Sequence, residues 1–330
     1  MICSYLLVCV GNKHNSSVRA GLSSRTTSLE DPVVTAPGQY VTAEIASQPE
    51  TWSRAVDLAA QVADRLPRTG ERVAFVGCGT SWFVSQVLAS WREAAGLGES
   101  DAFTATETPL RRSYDRIVTI TRSGTTTEVI ELLEQVKGRT PTVSLTADLN
   151  TPIVDAADEV IDLSFADETS VVQTRFATTA LMLFRRQLGL VPDGIVDACR
   201  AAVEADLPER HVDAEQISFL GRGWSIGIAN EAALKFRETS SSWAESYSAM
   251  EYRHGPISIA QPGRLTWVFG EAPAGLADQV AATGAEFVDH DLDPLVDLVL
   301  AQRVAVARAL KLGGNPDEPR NLTRSVVLSS

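Results

Sequence analysis

One seven-residue pattern decides the fold: residues 75–81 read Phe-Val-Gly-Cys-Gly-Thr-Ser, and residues 219–225 read Phe-Leu-Gly-Arg-Gly-Trp-Ser. Each copy ends an apolar, strand-like run and opens a helix-like segment. Glycines in such a turn let a helix pack closely on a strand or let the backbone approach a ligand. Repetition of the pattern in a chain of 330 residues predicts a duplicated α/β domain. The alternative is a coincidence of two glycine-rich turns.

Strand-like and helix-like segments alternate around both turns. The first half of the chain predicts helices at residues 50–66, 81–95, 126–136 and 173–188, and strands at 72–76, 116–121, 142–145 and 160–163. The pattern restarts near residue 210, with strands at 217–220, 265–269 and 287–290 and helices at 225–243 and 295–312. Apolar strands separated by helices indicate parallel sheets covered on both faces. We predict domains at residues 46–208 and 209–312, and a C-terminal tail at 313–330 that closes the site.

Residues 1–45 differ in composition from the rest of the chain. An apolar run at residues 2–10 is too short to span a bilayer. No basic residue precedes it and no convincing cleavage site follows, so we do not expect a signal peptide. A Ser/Thr-rich stretch comes next. We expect residues 1–45 to be disordered, or to lie upstream of the true translation start, and order to begin near Ser47.

The charge balance excludes several classes of function. The 29 basic and 42 acidic residues give a formal net charge of −13, which argues against nucleic-acid binding and against docking on anionic membranes. The four cysteines are scattered and form no C-x-x-C or Cys/His cluster, so we expect neither a disulfide framework nor a metal site. We therefore predict a cytoplasmic protein without a metal or redox cofactor.

A second glycine-containing turn predicts an anion site. Residues 120–127 read Ile-Thr-Arg-Ser-Gly-Thr-Thr-Thr, after a predicted strand and at the start of a predicted helix. Free backbone N–H groups at a helix N-terminus, surrounded by hydroxyl groups, favour phosphate. Thr80 and Ser81 follow the neighbouring strand and can face the same crevice. The alternative is ordinary helix capping by Ser and Thr.

Three charged residues share one face of the predicted helix at 225–243. Glu231, Lys235 and Glu238 are spaced i, i+4 and i+7. A solvated charged stripe is the usual explanation. The surrounding residues are small or apolar, however, and a shielded carboxylate beside a lysine can remove a proton next to a carbonyl. Further along, His254 lies near acidic residues, although a single histidine is more often structural.

These motifs together resemble the sugar isomerase (SIS) superfamily with two tandem SIS domains, from about residue 45 to the C-terminus. The chain is most similar to the isomerase half of glucosamine-6-phosphate synthase and to stand-alone aminosugar-phosphate deaminases, ketose/aldose isomerases and fructosamine-phosphate deglycases. The motifs that carry the resemblance are Cys78-Gly79-Thr80-Ser81, Ser123-Gly124-Thr125-Thr126, Ala233-Leu234-Lys235-x-x-Glu238, Glu251-x-x-His254-Gly255-Pro256 and Pro319-Arg320-Asn321-Leu322.

The resemblance implies two flavodoxin-like αβα sandwiches, a homodimer and a phosphorylated sugar as substrate. Glu238 would move a proton between C1 and C2 of the open-chain sugar. His254 would open the ring, and in relatives it can come from the partner subunit. Lys235 would support catalysis. The residues implied to bind the substrate are Thr80, Ser81, Thr121, Arg122, Ser123, Thr126, Val171, Gln173 and Glu231.

Two departures from the family pattern limit the implied chemistry. About forty residues precede the matching region, too few for a glutamine-hydrolysing domain, so we do not expect ammonia from glutamine within this chain. Arg324 stands where the synthase has a lysine that can form an imine with the ketose. A guanidinium stays protonated and does not form that imine, although it can stabilise an enediolate.

The sequence therefore predicts an enzyme that isomerises or deaminates a hexose phosphate or aminosugar phosphate. A fructosamine-phosphate deglycase and a non-catalytic sugar-phosphate sensor remain alternatives. A nucleotide-dependent oxidoreductase is disfavoured, because the dinucleotide fingerprint needs a third glycine where this chain has Trp82 and Ile226.

Overall fold

Two parallel β-sheets form the centre of the computed structural model, which describes residues 36–328. The strands in this part of the chain are β1 Val73–Gly77, β2 Ser100–Thr104, β3 Arg116–Ile120, β4 Thr142–Thr146, β5 Glu159–Asp162, β6 Gln216–Gly221, β7 Trp243–Ser248, β8 Arg264–Phe269 and β9 Glu286–Asp289. The helices are α1 Gln39–Ala46, α2 Gln48–Gln61, α3 Thr80–Ala94, α4 Thr127–Val136, α5 Ile153–Ala156, α6 Arg175–Gln187, α7 Ile195–Glu204, α8 Glu209–Asp213, α9 Ser225–Ser240, α10 Leu276–Ala281 and α11 Pro294–Lys311.

Both sheets are wound in the same way. The first has the order β2-β1-β3-β4-β5 and the second β7-β6-β8-β9, with every strand parallel to its neighbours. This confirms the predicted α/β class with parallel sheets. In each sheet the first strand along the chain occupies the second position. The next strand lies on one side of it, and the later strands lie on the other side. A crevice therefore forms at the carboxyl ends of the strands where the winding changes direction. The division into two tandem domains at residues 46–208 and 209–312 stays a prediction.

The two repeated turns are needed for close packing of strand on helix. A Cβ added to Gly77 would lie 2.5 Å from the Ser81 backbone, and one added to Gly221 would lie 2.2 Å from the Ser225 carbonyl oxygen. Gly79 and Gly223 have φ angles of 56° and 58°, a conformation that favours glycine. The same two backbone demands therefore recur in both copies of the pattern.

Order begins earlier than the sequence predicted. Helix α1 lies within the segment expected to be disordered, and its residues Val41 and Ile45 are buried in the main core. The predicted start near Ser47 is therefore wrong, because α1 is stabilised by tertiary packing that so short a segment does not reveal. Residues 1–35, including the apolar run at 2–10, lie outside the described residues.

Two edge strands were missed. The helix predicted to reach Trp243 ends at Ser240, where Ser241 has a φ of 52°, and β7 begins at Trp243. β7 and β2 each lie at the edge of a sheet and are only half-buried, and polar residues interrupt both, so neither has the apolar character of a buried parallel strand. Within residues 36–328, no helix is both long and apolar enough to cross a membrane.

Arg185 links helix α6, which follows the strands of the first sheet, to helix α11, which follows the strands of the second. Its guanidinium pairs with the Asp293 carboxylate through contacts of 2.9 and 2.6 Å. It also lies 5.4 Å from the ring centroid of Trp91 and 5.5 Å from that of Trp224. Arg185 is buried, and Asp293 caps the N-terminus of α11 by accepting from the Leu295 N–H. The pair therefore couples α6 to the start of α11.

Replacing Arg185 by Leu is expected to lower the free energy of unfolding by about 2 kcal/mol, because Asp293 loses a charged partner in a partly buried place. Urea unfolding measures the change. Arg186→Leu is the matched control, since Arg186 is the next residue of α6 and is exposed. Equal loss of stability in both variants would contradict the role given to Arg185.

Candidate active site

A cavity of about 170 Å³ opens at the carboxyl ends of β1 and β3. It lies at the point where the first sheet changes winding direction, which is where open α/β sheets bind ligands. Part of the C-terminal tail forms its outer wall. The lining residues are Cys78, Gly79, Thr80, Thr126, Glu128, Val171, Gln173, Glu238, Leu322, Thr323, Arg324, Ser325 and Val326.

The turn before α4 has the geometry of an anion site. Gly124 has a φ of 63°, and a Cβ there would lie 2.1 Å from the Thr151 hydroxyl oxygen. Among the described residues, the backbone N–H groups of Ser123, Gly124 and Thr126 donate to no backbone or side-chain acceptor. Thr126 lines the cavity directly. Unpaired N–H groups at the N-terminus of a helix are suited to a phosphate or carboxylate.

Lys235 connects the charged face of α9 to the turn after β1. Its ammonium group donates to the Thr80 hydroxyl at 2.9 Å, lies 3.4 Å from a Glu231 oxygen, and contacts the Glu238 carboxylate. Lys235 and Glu231 are buried, whereas the Glu238 side chain is 19% exposed and reaches the cavity. The shared helix face is therefore confirmed, and it is buried rather than solvated.

One cation in this cluster serves two carboxylates. Burial raises the pKa of Glu231 to about 7; the positive charge of Lys235 opposes this rise, and the negative charge of Glu238 adds to it. The carboxylates raise the pKa of Lys235 despite its burial, so its ammonium form persists. A Glu231 that titrates near neutral pH gives the site a group able to hold or release a proton.

The raised pKa of Glu231 predicts a pH-dependent stability. Between the ordinary glutamate pKa of 4.5 and about 7, the folded protein binds a proton here that the unfolded chain has lost, so stability falls as pH rises through this window. We expect Glu231→Gln to remove this slope, worth about 2 to 3 kcal/mol, because the amide cannot ionise. Urea unfolding at pH 5, 6, 7 and 8 measures the difference. Parallel slopes in the parent and the variant would contradict the assignment.

Arg122 contacts both the cavity wall and the C-terminal tail. Its buried guanidinium lies 3.3 Å from Glu168 and donates to the carbonyl oxygens of Ser170, Val171 and Arg324 at 3.0, 2.9 and 3.2 Å. These contacts use both terminal nitrogens of the guanidinium and link the wall of the cavity to the tail. A role of Arg122 in phosphate binding stays a prediction.

Arg324 is in the cavity lining, but its guanidinium is bound elsewhere. It pairs with the Asp167 carboxylate and donates to the Glu168 carbonyl oxygen. The position that carries the imine-forming lysine in the resembling family is therefore used here to fasten the tail.

His254 does not line this cavity. His254 is exposed and ends the 3₁₀ helix Glu251–His254 that follows β7. Its role in ring opening, and its supply by a partner subunit, stay predictions.

The other expected substrate-binding residues divide into two groups. Thr80, Thr126, Val171 and Gln173 line the cavity. The remaining ones are buried and do not contribute to its lining: Ser81, Thr121, Ser123 and Glu231. Lys235, expected to support catalysis, is likewise buried and outside the lining.

Three residues at or beside the cavity were not predicted as site residues: Glu168, Cys78 and Glu128. Glu168 is buried and accepts from the Thr174 hydroxyl at 2.9 Å and the Arg175 N–H at 2.8 Å, so it caps α6. Its position just before a predicted helix was a usable signal. Cys78 and Glu128 line the cavity, and burial raises the pKa of the Cys78 thiol. Within residues 36–328, no cluster of three or more His, Cys, Asp or Glu side chains could bind a metal.

This fold and cavity define an α/β protein with a candidate ligand site at the carboxyl edge of a parallel sheet. Residues 68–188 match the SIS domain family, so the chain contains a SIS domain. It is 29% identical to the isomerizing glutamine–fructose-6-phosphate aminotransferase of Xanthomonas campestris over 326 residues, which cover 81% of this chain and 53% of the relative. The chain spans about half the length of the curated relatives it matches.

Solved structures show the same fold. Glucosamine-6-phosphate deaminase from Thermotoga maritima superposes with a TM-score of 0.73 and 22% identity, over 87% of this chain and 99% of that chain. Tagatose-6-phosphate ketose/aldose isomerase from Escherichia coli superposes with a TM-score of 0.67 and 20% identity, over 88% and 99%. The match at residues 68–188 covers most of the first predicted domain; a second SIS domain around β6–β9 stays a prediction.

Proposed function

We propose that this protein is an enzyme that moves a proton between C1 and C2 of a hexose phosphate or aminosugar phosphate. The observation that carries the proposal is that one cavity is lined both by Thr126, beside the unpaired N–H groups before α4, and by Glu238 of α9. One end suits a phosphate and the other holds a carboxylate beside a buried lysine. The names of the relatives and of the similar structures support a phosphosugar as the ligand.

In the proposed reaction the phosphate of an open-chain sugar binds at the turn formed by residues 123–126. The Glu238 carboxylate takes the proton from the carbon next to the carbonyl, and a water molecule gives a proton to the carbonyl oxygen, which yields a neutral cis-enediol. Glu238 then returns its proton to the former carbonyl carbon while the hydroxide takes the hydroxyl proton from the neighbouring oxygen, which completes an aldose–ketose isomerisation. With an aminosugar phosphate the first transfers give an enamine, protonation of its C1 gives an imine at C2, and addition of water then releases ammonia and leaves the ketose.

The presence of Arg324 favours a route through an enediol over a route through an imine formed at this position. Its guanidinium is bound to Asp167 and is not an amine that can form an imine. A deglycase acting on a phosphorylated fructosamine uses the same first proton transfer and is the second candidate. A homodimer that brings His254 of the partner subunit to the cavity, and a cytoplasmic location, remain parts of the proposal.

The test is incubation of the purified protein in deuterium oxide with fructose 6-phosphate, glucosamine 6-phosphate or a phosphorylated fructosamine. NMR and mass spectrometry follow deuterium at C1 and C2, and the products distinguish isomerase, deaminase and deglycase. Deuterium incorporation at either carbon supports the enzyme. Thermal stabilisation by these compounds without incorporation or turnover would replace it by a sugar-phosphate sensor.

A further inference from the structure

Residues 168–173, here called the wall loop, form one side of the cavity through Val171 and Gln173. The wall loop lies between the short 3₁₀ helix Ser164–Ala166 and α6 and belongs to no regular element. Its shape therefore depends on partners outside the loop. Those partners come from α1, the C-terminal segment and Arg122.

Glu44 of α1 holds the start of the wall loop. Its carboxylate accepts from the backbone N–H of Thr169 at 2.5 Å and of Ser170 at 3.1 Å, and it also accepts from the Ser170 hydroxyl. The side chain is buried at 4% exposure. Burial raises the pKa of Glu44, and the nearby charge of Glu168 raises it further, while the bonds from the wall loop lower it.

Asp317 fastens the same helix to the middle of the wall loop. Its carboxylate accepts from the N–H groups of Tyr40 and Val41 in the first turn of α1, at 3.2 and 2.7 Å. Its backbone carbonyl accepts from the Val171 N–H at 3.0 Å. Helix α1 thus contacts the wall loop directly through Glu44. It also contacts the wall loop indirectly, because Asp317 of the C-terminal tail binds both.

The carbonyl groups of the wall loop are bound from the opposite side. Arg122 donates to those of Ser170 and Val171, and the same guanidinium reaches the Arg324 carbonyl in the tail. The backbone from the Thr169 N–H to the Val171 carbonyl is therefore clamped between Glu44 and Asp317 on one side and Arg122 on the other. Hydrogen bonds to charged groups are stronger and more directional than neutral ones.

We infer that Glu44 is a positioning residue of the active site: from α1 it holds the wall loop so that Val171 and Gln173 face the substrate. The inference rests on the proposed function for its effect on catalysis. Its effect on the wall loop itself does not depend on that function. A displacement of about 1 Å in a substrate-contacting wall lowers rates on the order of 10²-fold.

The test compares three variants of the full chain. Glu44→Ala removes every hydrogen bond that the Glu44 side chain makes to the wall loop. Glu44→Gln keeps the shape and one acceptor oxygen. Ile45→Ala is the matched control, because Ile45 is the next residue of α1, is buried at 3% exposure, and leaves the Glu44 carboxylate in place. Urea unfolding shows how far each variant is destabilised.

Two readouts separate positioning from general stability. Hydrogen exchange followed by mass spectrometry reports the protection of the Thr169, Ser170 and Val171 amides. Steady-state kinetics on whichever of the three sugar phosphates the parent protein turns over reports KM and kcat separately. We expect Glu44→Ala to raise amide exchange in the wall loop and to lower kcat/KM, each by about 10²-fold. Glu44→Gln is expected to stay within about 3-fold of the parent in both amide exchange and kcat/KM. Ile45→Ala is expected to stay in the same range, at a loss of stability similar to or greater than that of Glu44→Ala.

Equal exchange and equal kcat/KM in Glu44→Ala and Ile45→Ala, once their stabilities are compared, would overturn the inference. Failure of Glu44→Gln to restore amide protection would also overturn it, because the bonds to the wall loop would not be the cause. Absence of deuterium incorporation by the parent would refute the proposed function only. In that case hydrogen exchange alone decides whether Glu44 holds the wall loop.

Discussion

Glu238→Gln is expected to lower the rate of deuterium incorporation into a hexose phosphate by about 10³-fold, since a positioned general base contributes roughly 10² to 10⁴-fold. The amide has nearly the same shape and still accepts a hydrogen bond from Lys235, but it cannot take a proton from carbon. Glu238 is the carboxylate in the lining that contacts the buried Lys235. NMR of the substrate in deuterium oxide measures the rate directly.

Binding serves as the internal control for this variant. The N–H groups before α4 are untouched, so the affinity for inorganic phosphate, measured by calorimetry, is expected to stay within about 2-fold. Glu245→Gln is the matched variant, because Glu245 is a half-buried glutamate of β7 outside the cavity lining. Unchanged incorporation by Glu238→Gln would exclude Glu238 as the base and would direct attention to Glu128, the other carboxylate in the lining.

Lys235→Met is expected to lower the free energy of unfolding at pH 8 by about 3 to 5 kcal/mol, the usual effect of removing one partner from a buried ion pair. Lys235 is 1% exposed and is the shared cation of Glu231 and Glu238. Without it, burial forces Glu231 toward its neutral form, and Thr80 loses its donor. Urea unfolding measures the loss, and Lys137→Met, at an exposed lysine, is the control.

A double variant tests the electrostatic cause. Lys235→Met combined with Glu231→Gln removes the buried cation and one of its carboxylates together, so we expect it to regain about half of the lost stability. If Lys235→Met instead destabilises the protein through lost packing, the double variant is expected to regain no stability, because Glu231→Gln restores no contact. A double variant no more stable than Lys235→Met would show that charge compensation is not what Lys235 supplies.

Much of the central fold could be predicted from the sequence because its signals are local. The strands β1, β3, β4, β6 and β8 are buried over almost their whole length, and each carries at least two of Val, Ile, Leu and Phe. Glycine at 77, 79, 221 and 223 meets backbone demands that other residues meet poorly. The edge strands β2 and β7 escaped prediction, because they are half-exposed and polar residues interrupt them. The other two edge strands, β5 and β9, were predicted because each contains a pair of adjacent large apolar residues. Helix α1 escaped because short helices are stabilised by the surface they cover.

The candidate site was predictable to the extent that its parts lie on single elements. Helical spacing alone places Glu231, Lys235 and Glu238 on one face, and the turn before α4 shows its anion-binding character in its residues. The spacing did not reveal that this face is buried, nor that the cavity brings Thr126 and Glu238 together. Those facts depend on how α9 packs beside the first sheet.

The amino-acid sequence by itself determined the alternation of strands and helices that defines a parallel α/β architecture, the two glycine-dependent turns and the charged face of α9, since each of these elements is encoded by residues close together in the chain. Only the tertiary structure decided which charged groups are available. It pairs Arg122 with Glu168, Arg324 with Asp167, and the Val41 N–H with Asp317 at a separation of 276 residues. Buried charges and backbone groups must find partners wherever the fold places them, and a linear pattern does not contain that placement.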